Sequence, residues 1–417
     1  MKMLQLIAPS PSQQAPVLIL SKPKRLIWLE SIRIIAAVMI SLYHAQIYFS
    51  NYAFTPKPVG LVENLKELLA FGSETNIILP IRLLSAPFWF GFQFLDVFIL
   101  ISGFSLVLSL KGQPLVIGQF LKKRLSRLLF PFWTVAWLAF PILWILGALT
   151  HTYAPDAWHS FVGMTFPLAA DYRGSLLLST SGPWWFIPLI ISFTLVFPLL
   201  WSLAQRWGVR NLLLFSSILT VVYRMLAIYL LGGHPTYVVM STPANEEPFQ
   251  LFLSKLIIFV IGIAVAVVYQ KGQGPIFWSH RRAIIVGFFL YAIGFVCQFY
   301  QLGWAFADLL LPLGLALVAM ALTRRLSSIP RLQPWLLRLG ACSYSYFLIH
   351  NFVVDRTLNL VVQGDLVRYL LMLPVMIGLT LVLAMGVDSI CPIMQQFVIA
   401  LWNKVDSALS QPHPAKY

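Results

Sequence analysis

Residues 86–110 read APFWFGFQFLDVFILISGFSLVLSL, an almost unbroken apolar run whose single charged side chain is Asp96. An α-helix rises about 1.5 Å per residue, so a run of this length crosses the roughly 30 Å hydrocarbon core of a bilayer. In lipid, a helix is also the structure in which an isolated segment satisfies its own backbone polar groups. The stretch therefore predicts a transmembrane helix.

Nine further apolar stretches qualify as spans by the same measure. They cover about 26–49, 128–150, 183–204, 211–232, 250–269, 283–302, 304–323, 339–360 and 367–390. The 417-residue chain is 59% hydrophobic and 10% charged, whereas soluble domains are about 45–50% apolar and about 25% charged. This composition excludes a disordered protein and argues against a soluble enzyme. We predict an all-α fold, a polytopic membrane bundle of about ten transmembrane helices.

The stretches divide the chain into one membrane domain with two short tails. We expect a cytoplasmic N-terminal tail over 1–25, a membrane domain over 26–390, and a cytoplasmic or interfacial C-terminal tail over 391–417. The segment 391–402 is apolar but short, which favours an interfacial position. An amphipathic helix is expected near 61–71, in the connection between the first two spans.

Charge distribution predicts the orientation. The chain carries 29 Lys and Arg against 14 Asp and Glu, a net charge of +15. Most of the Lys and Arg fall in the connections on one side, which the positive-inside rule assigns to the cytoplasm together with both termini. No soluble basic domain is present, so nucleic acid is not an expected partner. Cys297, Cys342 and Cys391 lie far apart, with no metal-binding spacing, and no metal is expected.

Two ionisable residues in the first span are the leading candidates for function. Arg33 and His44 are eleven residues apart, which is about 20° beyond three full turns, so both project from one helix face about 16 Å apart. Ionisable groups at such depth are costly and are functional candidates by default. For Arg33 the alternatives are snorkelling or an ion pair with Glu30. For His44 the alternative is an interfacial histidine bonded to a carbonyl.

The connection after the second span contains Arg124 and Arg127, spaced i, i+3 on one helix face. Guanidinium groups so placed suit phosphate, and the alternative is anchoring against anionic lipid. In the span before it, Ser102 is part of a Ser-Gly step that favours close helix packing. Asp96 lies in the same span and is either functional or the partner of an intramembrane cation.

Two more intramembrane residues complete the candidate set. His350 lies in the span 339–360, where the alternative is a hydrogen-bonded core histidine. Arg224 lies in the span 211–232, and Glu246 and Glu247 in the following connection are candidate partners for it.

Taken in order, these motifs resemble the acyltransferase-3 family of integral-membrane O-acyltransferases. The family patterns are R-x10-H in the first span, S-G-F in the second, R-x-x-R-x-x-x-P after it, and a late segment ending in histidine. They match Arg33 with His44, Ser102-Gly103-Phe104 preceded by Asp96 and Phe98, Arg124 and Arg127 with Pro131, and residues 340–350. The sequence departs from the family at Glu30, where Asp is usual, and at Ile190 and Ile191, where many members carry acids.

The resemblance implies transfer of an acyl group, in particular acetyl, from acyl-CoA to a hydroxyl of a sugar or another extracytoplasmic or lipid-linked acceptor. His44 would be the base, and Arg33 would hold donor phosphate or support the oxyanion. Arg124 and Arg127 would hold the CoA phosphates. The remaining candidates are Asp96, Ser102, Arg224 and His350. A multi-pass protein of the bacterial inner membrane is expected. The rival functions are a transporter or flippase and a non-catalytic scaffold, and the acceptor, acyl length and oligomeric state stay open.

Overall fold

The computed structural model describes residues 26–74, 79–150, 161–162, 164–165, 167, 182–230 and 252–409. Their α-helices are α1 (Ile27–Phe49), α2 (Leu61–Glu74), α3 (Leu79–Trp89), α4 (Phe94–Leu110), α5 (Ile117–Thr150), α6 (Phe186–Trp207), α7 (Val209–Tyr229), α8 (Leu256–Gln270), α9 (His280–Cys297), α10 (Gly303–Ser327), α11 (Gln333–Ala341), α12 (Ser343–Thr357) and α13 (Leu366–Leu409). Short 3-10 helices cover Gly91–Gln93, Gly182–Trp185, Phe252–Lys255 and Pro275–Phe277, and a π-helix covers Leu358–Val362. The predicted all-α fold is confirmed.

In the part of the chain that the structure describes, nine helical segments are long and apolar enough to cross a membrane. They correspond to nine of the ten predicted spans. The predicted span 339–360 is instead divided among α11, α12 and the π-helix, and α12 alone has only 15 residues. The predicted turn between the seventh and eighth spans is present, because α9 ends at Cys297 and α10 begins at Gly303.

Two helices are longer than the sequence indicated. The helix α5 begins at Ile117, well before 128, so the cationic stretch belongs to the helix itself. The helix α13 has 44 residues and continues through Pro374 and Pro392. The segment 391–402 is therefore a continuation of α13 rather than a separate interfacial piece. A proline in a membrane helix kinks it without ending it, because neighbouring groups satisfy the carbonyl that it frees.

The helix α1 lies in the centre of the bundle and packs against α4, α10, α11, α12 and α13. Two glycines allow α4 and α8 to cross at backbone contact. A Cβ on Gly103 would meet the carbonyl oxygen of Phe259, and one on Gly262 would meet that of Leu100. On the outside, Phe288 and Phe289 of α9 are each 60% exposed, as expected of a surface that faces lipid.

The two ends of the bundle differ in their functional residues. We call the end where α1 begins, near Arg33, the basic end, and the end where α1 finishes, near His44, the histidine end. Gly340 of α11 packs against Glu30 at the basic end. The ring of Tyr369, at the start of α13, stacks on Phe49 at the histidine end. The chain therefore passes from the basic end to the histidine end along α12 and returns along α13.

Candidate active site

Two histidines from opposite ends of the sequence meet inside the bundle. The His350 Nε2 atom of α12 lies 3.2 Å from the His44 Nδ1 atom of α1, and their ring centroids are 5.0 Å apart. His350 is fully buried, and His44 is partly exposed. Two residues that were separate candidates in the sequence thus form one pair.

Backbone carbonyls determine which nitrogen of each ring carries the proton. The His44 Nδ1 atom is 2.9 Å from the Ile40 carbonyl oxygen, and the His350 Nδ1 atom is 2.6 Å from that of Phe347. A carbonyl oxygen only accepts, so each Nδ1 donates to it when the ring is neutral. The His350 Nε2 atom is then an acceptor, and the His44 Nδ1–H group is shared between Ile40 and His350.

This arrangement leaves the lone pair on His44 Nε2, and no residue that the structure describes forms a hydrogen bond to that atom. A neutral imidazole with one nitrogen oriented by a partner and the other able to accept a proton is suited to general-base catalysis. The histidine pair is therefore a plausible catalytic centre on geometry alone. The carbonyl contact that the alternative interpretation assigned to His44 is also present, and it serves to orient the ring.

Neighbouring side chains fix both helices of the pair. The rings of Tyr43 and Tyr48 lie 5.2 Å and 5.8 Å from that of His44, measured between centroids. The Tyr48 hydroxyl donates to Asn351 Oδ1 of α12 at 2.9 Å. The buried Trp184 donates its Nε1–H to the Leu348 carbonyl of α12 at 3.0 Å. The helix that carries His350 is thereby held by hydrogen bonds from two other parts of the chain.

Arg33 and Arg124 are held by serines on the same face of α4. Arg33 donates to Ser105 Oγ at 2.9 Å, and Arg124 donates to Ser102 Oγ at 3.0 Å. Arg33 also forms the ion pair with Glu30 that the sequence allowed, at 3.2 Å. The Arg124 Nε atom is buried and has no hydrogen-bond partner among the described residues. Two guanidinium groups are therefore held on one face of α4 at the basic end, and Glu30 pairs with only one of them. The excess positive charge favours an added anion.

Arg127 is more exposed than Arg124. Arg127 is exposed, and it lines an open cleft between α5 and α13 together with Lys122 and Lys123. Arg124, one turn earlier, points into the bundle instead. One guanidinium group therefore lies within the bundle and the other at its surface, and their joint binding of phosphate stays a prediction.

Asp96 and Arg224 belong to a second buried cluster. Lys255 Nζ lies 3.0 Å from the Asp96 carboxylate and 2.5 Å from Asp308 Oδ2. Arg224 Nη1 lies 2.6 Å from the same Asp308 oxygen, and Arg224 Nε donates to the Trp304 carbonyl at 2.9 Å. Two cations and two carboxylates balance, which offsets the cost of burying each of them.

The cluster joins α4, α7, α10 and the 3-10 helix Phe252–Lys255 at the histidine end, but no hydrogen bond among the described residues connects it to His44. Asp96 has the intramembrane cation that the sequence allowed for. Within the described part of the chain, Asp308 is a carboxylate partner of Arg224. Glu246 and Glu247 lie outside the described residues. Sequence reasoning missed Lys255 and Asp308, although charges within otherwise apolar spans were a usable signal for pairing.

The structure also describes the positions where many family members carry acids, and it can be searched for metal-ligating clusters. Ile190 and Ile191 of α6 are buried in the main core at 4% and 3% exposure, so these positions contribute packing and no charge. Among the residues that the structure describes, no group of three or more His, Cys, Asp or Glu side chains is arranged to hold a metal ion.

Comparison with protein families places this site in context. The acyltransferase-3 family model, described as an acyltransferase domain, matches residues 26–387. The match extends from the start of the bundle into α13, and it includes both histidines and the arginines at the basic end. Searches of curated proteins and of solved structures found no significant match. With its apolar helices, the chain is a multi-pass membrane protein, and it belongs to the acyltransferase-3 family.

Proposed function

We propose that the protein transfers an acyl group, in particular acetyl, from acyl-CoA to a hydroxyl of a sugar or another extracytoplasmic or lipid-linked acceptor. The observation that carries the proposal is the contact between His44 Nδ1 and His350 Nε2, which leaves His44 Nε2 as the proton acceptor. An acyltransferase needs such a base, because a neutral hydroxyl attacks a thioester slowly.

The proposed chemistry follows from the two rings. His44 Nε2 takes the acceptor's hydroxyl proton while the oxygen attacks the thioester carbonyl carbon. The carbon–sulfur bond then breaks, and the imidazolium returns the proton to the departing CoA thiolate. The products are an ester and free CoA thiol. His350 Nε2 accepts a hydrogen bond from His44 Nδ1 throughout, and so stabilises the imidazolium that forms between the two steps.

The donor's phosphates are assigned to the basic end. Arg33 lies about 16 Å along α1 from His44, because eleven residues at about 1.5 Å each separate them. That distance favours phosphate binding by Arg33 over direct contact with an oxyanion at His44. Arg124, with its partnerless buried Nε, is placed to bind the same anion. The pantetheine arm would extend from these arginines toward His44.

The direction of transfer follows from the charge distribution. If the basic end faces the cytoplasm, the donor arrives from the compartment that contains acyl-CoA, and the acceptor reaches His44 from the other side. We place the protein in a bacterial inner membrane with both termini cytoplasmic. Asp96 and Arg224 then act structurally, by holding together the helix ends around the acceptor side.

Thiol release from acetyl-CoA tests the proposal directly. Purified protein in nanodiscs would be incubated with acetyl-CoA and a mixed glycan acceptor pool, and free CoA would be counted over time. We expect His44→Ala to abolish release and Arg33→Ala to raise the KM for acetyl-CoA. His280→Ala, which removes a histidine at the start of α9, should leave release unchanged. Full release by the His44 variant, or an equal loss in the His280 variant, would contradict the proposal.

A further inference from the structure

An open cleft of about 550 Å³ lies between α5 and α13 at the basic end. Its cationic part is formed by Lys122, Lys123 and Arg127 of α5. Its apolar part is formed by Phe130 and Pro131, one turn further along the same helix, and by Cys391 of α13. Because these residues recur every three to four positions, they occupy one continuous face of α5.

The three cations of the cleft have no counter-charge. Among the side chains that the structure describes, no carboxylate pairs with Lys122, Lys123 or Arg127, and all three are exposed. Arg33, at the same end of the bundle, is in contrast paired with Glu30. Three uncompensated positive charges around one cavity create a local potential that favours an anion.

The order of residues along α5 matches the depth profile of a phospholipid. The helix has 34 residues, or about 51 Å, which exceeds the roughly 30 Å hydrocarbon core. Its apolar part begins near 128, so Lys122, Lys123 and Arg127 lie at the level of lipid headgroups. Phe130 and Pro131 lie where the hydrocarbon begins. A phosphate and an acyl chain joined in one molecule fit these two levels.

The surface of α13 next to the cleft is apolar and exposed. Beside Cys391, the residues Ile390, Ile393 and Met394 are 42%, 65% and 38% exposed. These side chains adjoin the cleft without lining it, and they suit an acyl chain that continues from the cleft along α13. Arg124 points away from the cleft, toward Ser102.

We propose that this cleft binds an anionic phospholipid, with its phosphate on Lys122, Lys123 and Arg127 and an acyl chain against Phe130 and α13. Basic pockets between transmembrane helices on the cytoplasmic side are known to bind anionic headgroups in this way. The proposal does not depend on the proposed acyl-transfer chemistry, which uses His44, His350, Arg33 and Arg124. It gives Arg127 a different ligand from the CoA phosphate that the family resemblance implied.

Native mass spectrometry of the detergent-solubilised full chain provides the test. The protein would be mixed with phosphatidylglycerol, or with phosphatidylcholine of the same acyl chains, and the retained lipid would be measured. We expect phosphatidylglycerol to be retained and phosphatidylcholine not. The triple variant K122Q/K123Q/R127Q should retain phosphatidylglycerol roughly 100-fold more weakly, which corresponds to about 1 kcal/mol for each cation.

Matched variants distinguish lipid binding in the cleft from non-specific attraction of an anionic lipid to a positively charged protein. K271Q/R281Q/R325Q removes three cations from the basic end outside the cleft, and it should leave retention unchanged. K122R/K123R/R127K keeps the charges and should retain the lipid. Equal loss in both glutamine variants would overturn the proposal, because it would show attraction without a site. Displacement of the lipid by free CoA would also overturn it, because it would assign the cleft to the acyl donor.

Discussion

Replacing His350 by leucine removes the hydrogen-bond acceptor of His44 while keeping the buried volume similar. The bond that is lost joins His350 Nε2 to His44 Nδ1 at 3.2 Å. It is worth most when His44 is an imidazolium, because hydrogen bonds to charged groups contribute about 1.5–3 kcal/mol. That range predicts a fall in kcat of roughly 10- to 150-fold. The Ile40 carbonyl still orients the ring, so His350→Leu should be less damaging than His44→Ala.

Steady-state thiol release from acetyl-CoA would measure this effect. We expect kcat to fall while the KM for acetyl-CoA stays unchanged, because the arginines assigned to the donor lie at the other end of α1. His350→Gln is the matched control, since its side-chain oxygen can accept from His44 Nδ1 near the position of Nε2. It should recover most of the lost kcat.

Either of two results would refute this reasoning. A His350→Leu variant with wild-type kcat would show that the contact between the rings is not used in the reaction. A His350→Gln variant as slow as the leucine variant would show that something other than the acceptor at Nε2 is needed. Thermal unfolding of each variant in detergent would establish that the compared proteins are folded.

Three other changes have predictable outcomes. Asp308→Asn removes the carboxylate that two buried cations share, and it should lower the free energy of unfolding by about 3–5 kcal/mol. The loss would be measured as a lower Tm in detergent, and an unchanged Tm would contradict the role of the ion pairs in stability. Gly262→Ala should lower the free energy of unfolding by about 1–3 kcal/mol, because the added methyl meets the α4 backbone. Gly378→Ala is the control, since its Cβ would meet nothing within 4 Å, and it should leave the free energy of unfolding unchanged or raise it. Arg124→Gln should raise the KM for acetyl-CoA about tenfold, as expected for the loss of a charged hydrogen bond. The control Arg281→Gln should leave the KM unchanged, and equal KM values in the two variants would exclude Arg124 from the donor site.

The fold was largely predictable because the length of an apolar run can be read directly from the sequence, without knowing which helices are neighbours. Apolar runs indicated nine of the helices that can span the membrane, and the short turn before Gly303 was visible in the sequence. Helix ends were less predictable. The last span was expected to end at 390, but α13 continues to Leu409. A membrane helix can continue through a proline such as Pro392, because neighbouring groups satisfy the carbonyl that the proline frees.

The candidate residues could be identified from the sequence, but the contacts between them could not. His44 and His350 were both identifiable as ionisable residues in apolar spans, but 306 positions separate them, and no local pattern shows that α1 and α12 are neighbours. Arg224 illustrates the same difficulty, because Asp308, its carboxylate partner among the described residues, is 84 positions away. The candidate partners Glu246 and Glu247 lie outside the described residues and stay a prediction. Contacts between helices depend on how the whole bundle packs.

The most direct test of the account is single-turnover transfer of radiolabelled acetyl from acetyl-CoA by the wild-type protein and by His44→Ala, with donor binding measured on the same samples. The account predicts that both proteins bind acetyl-CoA and that only the wild type moves the label to a hydroxyl acceptor. Label transfer by the His44 variant at the wild-type rate would contradict the assignment of His44 as the base. Binding of acetyl-CoA by neither protein would contradict the acyl-CoA dependence itself.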